Sequence, residues 1–381
     1  MTVGILGGGP AGAFAAERLA SAGVKTLLLD EKLAWEKPCG GGLTWKAYTQ
    51  YPFLVESATR RKTISSTVLA APAVKPVEFR LDRPILIYSR RELNGMLLDR
   101  AAASGVRIQQ TRVLGMDRDG TGWRIRTKSG ELAVDYCIVA TGARNPLRDF
   151  GTALKPSDTM GALGYHVPGD RERIDLAFLE GLEGYIWVFP RCGHMSVGIC
   201  GKGDSAGALR ERLHEYMDAQ GLSRVGATFY SHLLPSLDFE SWKVNRFSGD
   251  GWLAVGDAAG LVDPITGEGL YYALRSADLA VQAILAGTGS ASRDYSGSIA
   301  AEIVPEMEFA SRIATRVFGG SFLGRSVPQW MVTATRRSPT FRLILGDLFA
   351  GTQPYVELKR RLTDNGFQIL LELVLQFASQ S

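Results

Sequence analysis

Cysteine is scarce in this chain, and what there is stands apart: Cys39, Cys137, Cys192 and Cys200 form no C-x-x-C pair. That spacing argues against a disulfide framework and against a zinc ribbon. Histidine is equally thin, and His166, His194, His214 and His232 make no H-x-x-x-H pair, so no metal site is expected. No apolar run reaches the ~20 residues needed to span a bilayer. The N-terminal "MTVGILGGGPAG" lacks the cationic lead and long apolar run of an export signal. A reducing, cytoplasmic setting is the expectation. Internal repeats, low-complexity linkers, a G-x-S-x-G elbow and any nucleic-acid-binding motif are also missing. Hydrolysis by that route and nucleic-acid partners are therefore not expected.

What is present is an ordinary globular balance, 45% hydrophobic and 22% charged, which excludes disorder. At 381 residues the chain exceeds the usual single core, so two associated domains are expected. Its 44 glycines point to many tight turns or close backbone approaches to a ligand. The net charge of +4 is unevenly placed. Residues 311–361 carry nine basic side chains against Asp347 and Glu357, a local excess of +7. Such a face suits an anionic partner or is simply a solvated helical surface.

The chain opens on a strand, "TVGIL", a glycine turn, an alanine-rich helix ending at Gly23, and a second apolar strand, "VKTLLLDEK". This is a βαβ unit. Residues 58–88 read as strands, "RRELNGMLLDRAAASG" as a helix, and "GWRIRTKSGELAVDYCIVATGA" as a hairpin turning at "KSG" followed by an apolar strand. Alternating runs dominate from about 155 to 245, broken by one helix near 205–220. From 268 onward the pattern is mostly helical. The expected fold is therefore α/β with an α+β insert: a Rossmann-like domain from residues 1–155 and 246–290, a mainly antiparallel β domain at 156–245 for the substrate, and a helical C-terminal region at 291–381. Strands near 58–88 are expected to contribute to the substrate side.

Gly7, Gly9 and Gly12 fit G-x-G-x-x-G between the first strand and helix. The first glycine allows the turn, the second admits a pyrophosphate, and the third lets helix pack on strand. Pro10 and Ala11 complete the loop. Asp30, 21 residues past Gly9, ends the next strand with Glu31 beside it, where a carboxylate meets ribose hydroxyls. A second element, "WLAVGDAAGLVDPITGEGLYYALRSADLA", places Asp257 after a strand and before a long helix. It resembles the C-terminal FAD fingerprint of the aromatic-hydroxylase-like flavoproteins. The resemblance implies that Asp257 binds the ribityl chain, that Gly269 and Leu270 lie near the pyrimidine end of the flavin ring, and that Gly267 belongs to the cofactor site. It also implies that Arg90 approaches the pyrophosphate, with Arg91 as the neighbouring alternative. Val113 would contact the adenine side through its backbone, and Gly142 in "IVATGA" would pass close to the cofactor.

Three further stretches, "KPCGGGL", "YIWVFPRCGHMSVGI" and "GDLFAGTQPYVELKRRL", make the chain similar to the geranylgeranyl reductase family over about residues 2–362. The resemblance implies FAD-dependent saturation of carbon–carbon double bonds in a polyprenyl or other large apolar substrate. Cys39 is the candidate catalytic residue, as a weak acid, with a backbone contact to FAD as its other reading. Gly40, Gly41 and Gly42 would let backbone amides approach the cofactor. No second dinucleotide motif is present, so the flavin is expected to be reduced by ferredoxin, a flavin reductase or transiently bound NAD(P)H. Residues 50–88 and 220–245 match nothing in the family.

In "YIWVFP", Tyr185, Trp187 and Phe189 alternate, so they share one face of a strand and could line the substrate cavity or form sheet core. The same stretch half-matches the W-x-W-x-I-P signature of flavin-dependent halogenases, but no lysine here has a motif for holding the halogenating species. An oxygen-dependent monooxygenase or halogenase is the alternative activity, and a flavoprotein that modifies a partner protein is another. The last helix, "GFQILLELVLQFA", carries one polar stripe at Gln368, Glu372 and Gln376. Buried packing is expected of it, with peripheral membrane contact as the other reading.

Overall fold

A computed structural model describes residues 1–378 apart from 288 and 323, with side chains described through residue 373. The chain divides into two compact units. The first holds Met1–Lys37, Arg90–Thr159 and Leu233–Glu308, and the second Pro38–Ser89, Met160–His232 and Phe309–Ser381.

The first unit is built on a six-stranded sheet in the order Ser248–Gly249, Trp252–Ala254, Tyr136–Val139, Thr2–Leu6, Lys25–Asp30, Arg107–Gln110. Only the edge strand Ser248–Gly249 runs antiparallel to its neighbour. Parallel strands need long crossovers, and a helix covering the sheet buries their faces. That is why "VGIL" and "TLLL" read as unbroken apolar runs: all eight of those residues are buried. The helix Pro10–Ser21 follows the first strand and buries nine of its residues, five of them alanine or glycine. Such small side chains let it lie close to the long helix Leu270–Leu285. A three-stranded meander, Val113–Asp119, Gly122–Thr127 and Gly130–Val134, completes this unit, with the second turn at "KS" where Thr127 faces Gly130.

The second unit carries an eight-stranded sheet ordered Thr228–Pro235, Thr159–Pro168, His194–Lys202, Glu183–Pro190, Ile174–Ala177, Lys62–Ala70, Val77–Ile87, Gly42–Leu43. From Thr159–Pro168 to Gly42–Leu43 the neighbouring strands pair antiparallel, except Ile174–Ala177 against Lys62–Ala70. One face packs on the helix Ala206–Ala219, where Leu209, Leu213 and Met217 meet Ile186, Val188, Val197 and Ile199. Each of these fully buried side chains stabilises the unit by about 1.5–3 kcal/mol. Ser205 starts that helix by accepting from the Ala208 amide at 3.2 Å. Because Ile186 and Val188 point into this core, Tyr185, Trp187 and Phe189 take the opposite face.

Sequence pattern did not reveal three local features. The "CGGGL" stretch is not only a loop, because Gly42–Leu43 pairs with Leu86–Ile87. Two short helices, Trp45–Gln50 and Phe53–Glu56, follow it. The last helix, Gly366–Ala378, departs from the expectation of buried packing: Phe367, Leu370 and Leu371 are 81%, 60% and 46% exposed. Its polar Glu372 instead faces protein, accepting from Thr340 Oγ1 at 2.7 Å and from the Ser338 hydroxyl. The side chain of Gln376 lies outside the described residues. No helix among the described residues is long and apolar enough to cross a membrane.

Candidate functional site

In the first unit the glycines of the opening loop have three different reasons to be glycine. Gly7 sits at φ +116°, and a Cβ there would run into the Ala140 carbonyl. A Cβ on Gly12 would strike the Gly7 carbonyl, so this glycine sets how near the helix comes to the strand. A Cβ on Gly9 meets nothing within 4 Å, which leaves open space beside the loop. Gly9 caps Pro10–Ser21 with no side-chain hydrogen bond, and Pro10 occupies the first turn without an N–H to satisfy. The amides of Ala11 and Gly12 therefore remain for an anion.

Asp30 is already engaged. Its Oδ1 accepts from the amides of Lys32 and Leu33, and its Oδ2 from the amide of Gly8, each at 2.7 Å. A carboxylate oxygen has two lone pairs, so Oδ2 keeps one acceptor site for a hydroxyl. Glu31 is exposed and pairs with Lys128 at 3.4 Å and Arg112 at 3.8 Å.

Arg90 begins the helix Arg90–Ala103 and is only 3% exposed. Its amide and that of Arg91 both donate to the Glu36 carboxylate, at 2.9 and 3.3 Å, which closes that helix end. The Arg90 guanidinium reaches Asn94 Oδ1 at 3.4 Å, while its Nε is buried with no hydrogen-bond partner. Two contacts locate it against the glycine loop. Arg100 bonds Glu17, and Ser104 bonds Ser21 at 3.1 Å, both at a sequence offset of 83. The two helices therefore run parallel and in step, so Arg90 at the start of one shares its N-terminal end with the glycine loop that precedes the other.

The second fingerprint lies in the same unit. Asp257 is in the short turn Gly256–Ala259, whose Gly256 amide is held by Ser276 Oγ at 2.9 Å. Gly269 precedes Leu270–Leu285 with no side-chain cap, and a Cβ on it would lie 3.5 Å from Asp257 Oδ1. Gly267 donates its amide to the Asp263 carbonyl at 2.9 Å, within a loop tied by the buried Asp263 carboxylate. Leu270 is buried at the start of the helix. Gly142 follows the strand Tyr136–Val139, and Val113 is buried opposite Thr127. Sequence reasoning missed Lys37, whose Nζ pairs with Asp257 Oδ2 at 3.1 Å in a half-buried position. Its signal was its place two residues before Cys39.

A buried cation with an unsatisfied donor, an open glycine cradle and uncapped first-turn amides fit a diphosphate. Gly7, Gly9, Ala11, Gly12 and Arg90 would hold it, with Asp30 and Asp257 for hydroxyl groups on either side. None of these groups is a proton donor placed for chemistry, so what the arrangement offers is binding, and a redox step would fall to a bound cofactor.

The other sequence candidates belong to the second unit. Gly41 has φ +85°, and a Cβ on it would collide with the Tyr88 carbonyl. Cβ atoms on Gly40 and Gly42 would lie 3.3 and 3.0 Å from the Phe189 ring, so the glycines make room for that ring. Cys39 is half-buried, and its sulfur accepts from the Gly41 amide at 3.3 Å. Trp187 is buried, with Tyr185 edge-on at a centroid distance of 6.2 Å, while Tyr185 and Phe189 are half-exposed. Burial pushes the Cys200 thiol up to about 12 and raises Cys137 further, so both stay protonated. Among the histidines, His214 bonds the Tyr165 hydroxyl at 2.8 Å, and burial with nearby Arg224 lowers its pKa.

Comparison with known proteins gives this geometry a context. Residues 1–159 match the pyridine nucleotide-disulphide oxidoreductase family. The chain is 28% identical over 333 residues to the chloroplastic geranylgeranyl diphosphate reductase of Oryza sativa subsp. japonica, covering 77% of this chain and 68% of that protein. It is 28% identical over 374 residues to digeranylgeranylglycerophospholipid reductase 2 of Methanothermobacter thermautotrophicus, covering 90% and 87%. A geranylgeranyl bacteriochlorophyll reductase-like protein of Thermoplasma acidophilum has the same fold, with a TM-score of 0.78 at 21% identity over 95% of this chain and 99% of that one. The resemblance seen in the motifs thus extends along most of the chain, and the expected α/β flavoprotein fold with its helical C-terminal region is the observed one.

Proposed function

We propose that this chain, a flavin-dependent oxidoreductase similar to the geranylgeranyl reductases, binds FAD and reduces carbon–carbon double bonds of a polyprenyl substrate. The observation that carries the choice of a dinucleotide is Arg90, buried at the helix end it shares with the glycine loop, with an Nε that lacks a partner. A mononucleotide flavin would give that guanidinium and the Gly9 cradle no diphosphate bridge to meet. Similarity to relatives whose names state prenyl reductions supports the substrate class.

Reduced FAD supplies a hydride to one alkene carbon, and a proton must reach the other. We assign that proton to Cys39, and the apolar lining to Tyr185, Trp187 and Phe189. The first unit would serve the cofactor and the second the substrate, so the expected boundaries shift: residues 38–89, strands 58–88 among them, group with the β-rich unit and 233–245 with the Rossmann-like one. Asp257, Gly267, Gly269 and Leu270 would serve the flavin end of the cofactor. Glu31 and Val113 are assigned with Asp30 to the adenosine side, and Gly142 to the turn that passes close to the cofactor. Electrons come from a separate donor, whether ferredoxin, a flavin reductase or transient NAD(P)H. Protein reduced anaerobically with dithionite and mixed with geranylgeranyl diphosphate is expected to yield products heavier by two hydrogens per double bond, seen by mass spectrometry. Turnover that appears only when oxygen is admitted would overturn the reading in favour of an oxygenase.

A peripheral contact with membrane lipid belongs to the same reading. Phe367, Leu370 and Leu371 are exposed beside a helix that displays Lys359 and Arg360, a pairing suited to an anionic bilayer surface. Vesicles of phosphatidylglycerol are expected to carry the protein upward in flotation. A Phe367→Ser/Leu370→Ser variant should lose that behaviour and keep its flavin. Equal flotation of both proteins would dismiss this helix as the contact.

A further inference from the structure

Arg191 has no solvent exposure and is the largest such side chain among the described residues; it lies in the second unit directly after the aromatic strand. A guanidinium is rarely fully buried without a task. Its amide closes the turn to the His194 carbonyl at 2.8 Å, and its side chain reaches the loop that carries Cys39. Nη2 donates to the Cys39 carbonyl, and Nε donates to the Gly40 carbonyl at 3.3 Å.

A second donor reaches the same carbonyl. Ser196 Oγ donates to Cys39 O at 2.9 Å. Its direction follows from counting. Trp187 Nε1 donates to Ser196 Oγ at 3.3 Å, and the Tyr230 hydroxyl stands 2.8 Å from the same oxygen. A serine hydroxyl has one proton and two lone pairs. Since the proton goes to Cys39, Tyr230 must donate, and both lone pairs are filled. Burial pushes the Tyr230 hydroxyl up to about 12, so it keeps the proton that it donates. The Cys39 carbonyl thus holds two buried donors, and the Gly41 amide holds the sulfur from above.

We propose that Arg191, with Ser196 and Tyr230 behind it, is a positioning clamp that fixes the Cys39 turn and thereby the place of its thiol. The clamp deepens the reading in which Cys39 gives the proton, but it rests on geometry independent of the substrate. Arg191→Lys keeps the charge and cannot fork to two carbonyls; Arg191→Gln loses both.

The test uses flavin-loaded protein in a Cys192→Ser background, where Cys39 is the one half-buried thiol and Cys137 and Cys200 are buried. Iodoacetamide labelling of Cys39 is followed from pH 6 to 9 beside steady-state prenyl reduction. Loosening the turn is expected to speed labelling at least ~5-fold in Arg191→Gln, and less in Arg191→Lys and Ser196→Ala. The same variants should lose kcat in that order with little change in KM. Unchanged labelling profiles in Arg191→Lys and Ser196→Ala overturn the clamp, even if Arg191→Gln fails to fold. Faster labelling in a protein whose parent reduces no alkene leaves the clamp standing and removes the proposed activity instead.

Discussion

Gly12→Ala is expected to lose both stability and flavin, whereas Gly9→Ala is expected to lose only flavin. The added methyl on Gly12 meets the Gly7 carbonyl, a backbone atom that has no rotamer to turn aside. Relief requires moving the helix Pro10–Ser21 off the central strand, at a cost of about 3 kcal/mol. The midpoint of thermal unfolding should fall by roughly 5–10 °C. The shift also carries the first-turn amides away from any diphosphate. At Gly9 the methyl enters open space, so the fold has no reason to change. If that space receives the pyrophosphate, affinity for FAD should drop by ~10-fold or more with unfolding of the apoprotein unaltered. Calorimetry on apoprotein and fluorescence titration with FAD read the two quantities separately. A Gly9→Ala protein that binds FAD as tightly as the parent would mean that the cradle faces something else.

Arg90→Met should behave in the opposite sense to an ordinary core substitution. The guanidinium is 3% exposed, its Nε lacks a partner, and its side-chain bond to Asn94 is long at 3.4 Å. Removing a buried, poorly satisfied charge is neutral or stabilising when an apolar chain of similar length replaces it. Apoprotein stability should therefore hold or rise. Flavin affinity should fall by ~100-fold, equivalent to about 2.7 kcal/mol, because the diphosphate loses a desolvated cation. Comparing apo and flavin-loaded melting curves decides the matter. Equal loss in both would make Arg90 a structural residue and remove the main argument for a dinucleotide.

Much of the first unit was readable because its chemistry is local. Gly7, Gly9 and Gly12 sit within one turn, and the apolar runs on either side announce buried parallel strands. The hairpin at Lys128 and Ser129 was legible for the same reason. The last helix was not. Its apolar composition looked like core, yet composition cannot say whether a neighbour covers a face, and Phe367 proved open. Nor could pattern reveal Tyr230, which lies in a stretch without motif and acts only by meeting Ser196, 34 residues away.

Local pattern was enough for the βαβ opening, the strand, turn and helix around Asp257, and the alternation that puts Tyr185, Trp187 and Phe189 on one face, while the flavoprotein reading came from the resemblance of those motifs to a known family. All of these depend on residues close in the chain, where backbone geometry converts spacing directly into position. Tertiary structure alone decided that Arg90 shares a helix end with the glycine loop, that Lys37 meets Asp257, and that buried Arg191 reaches the Cys39 carbonyl. Those facts depend on long side chains reaching across elements. A lysine or arginine reads as surface in any local window until the packed neighbours show what it serves.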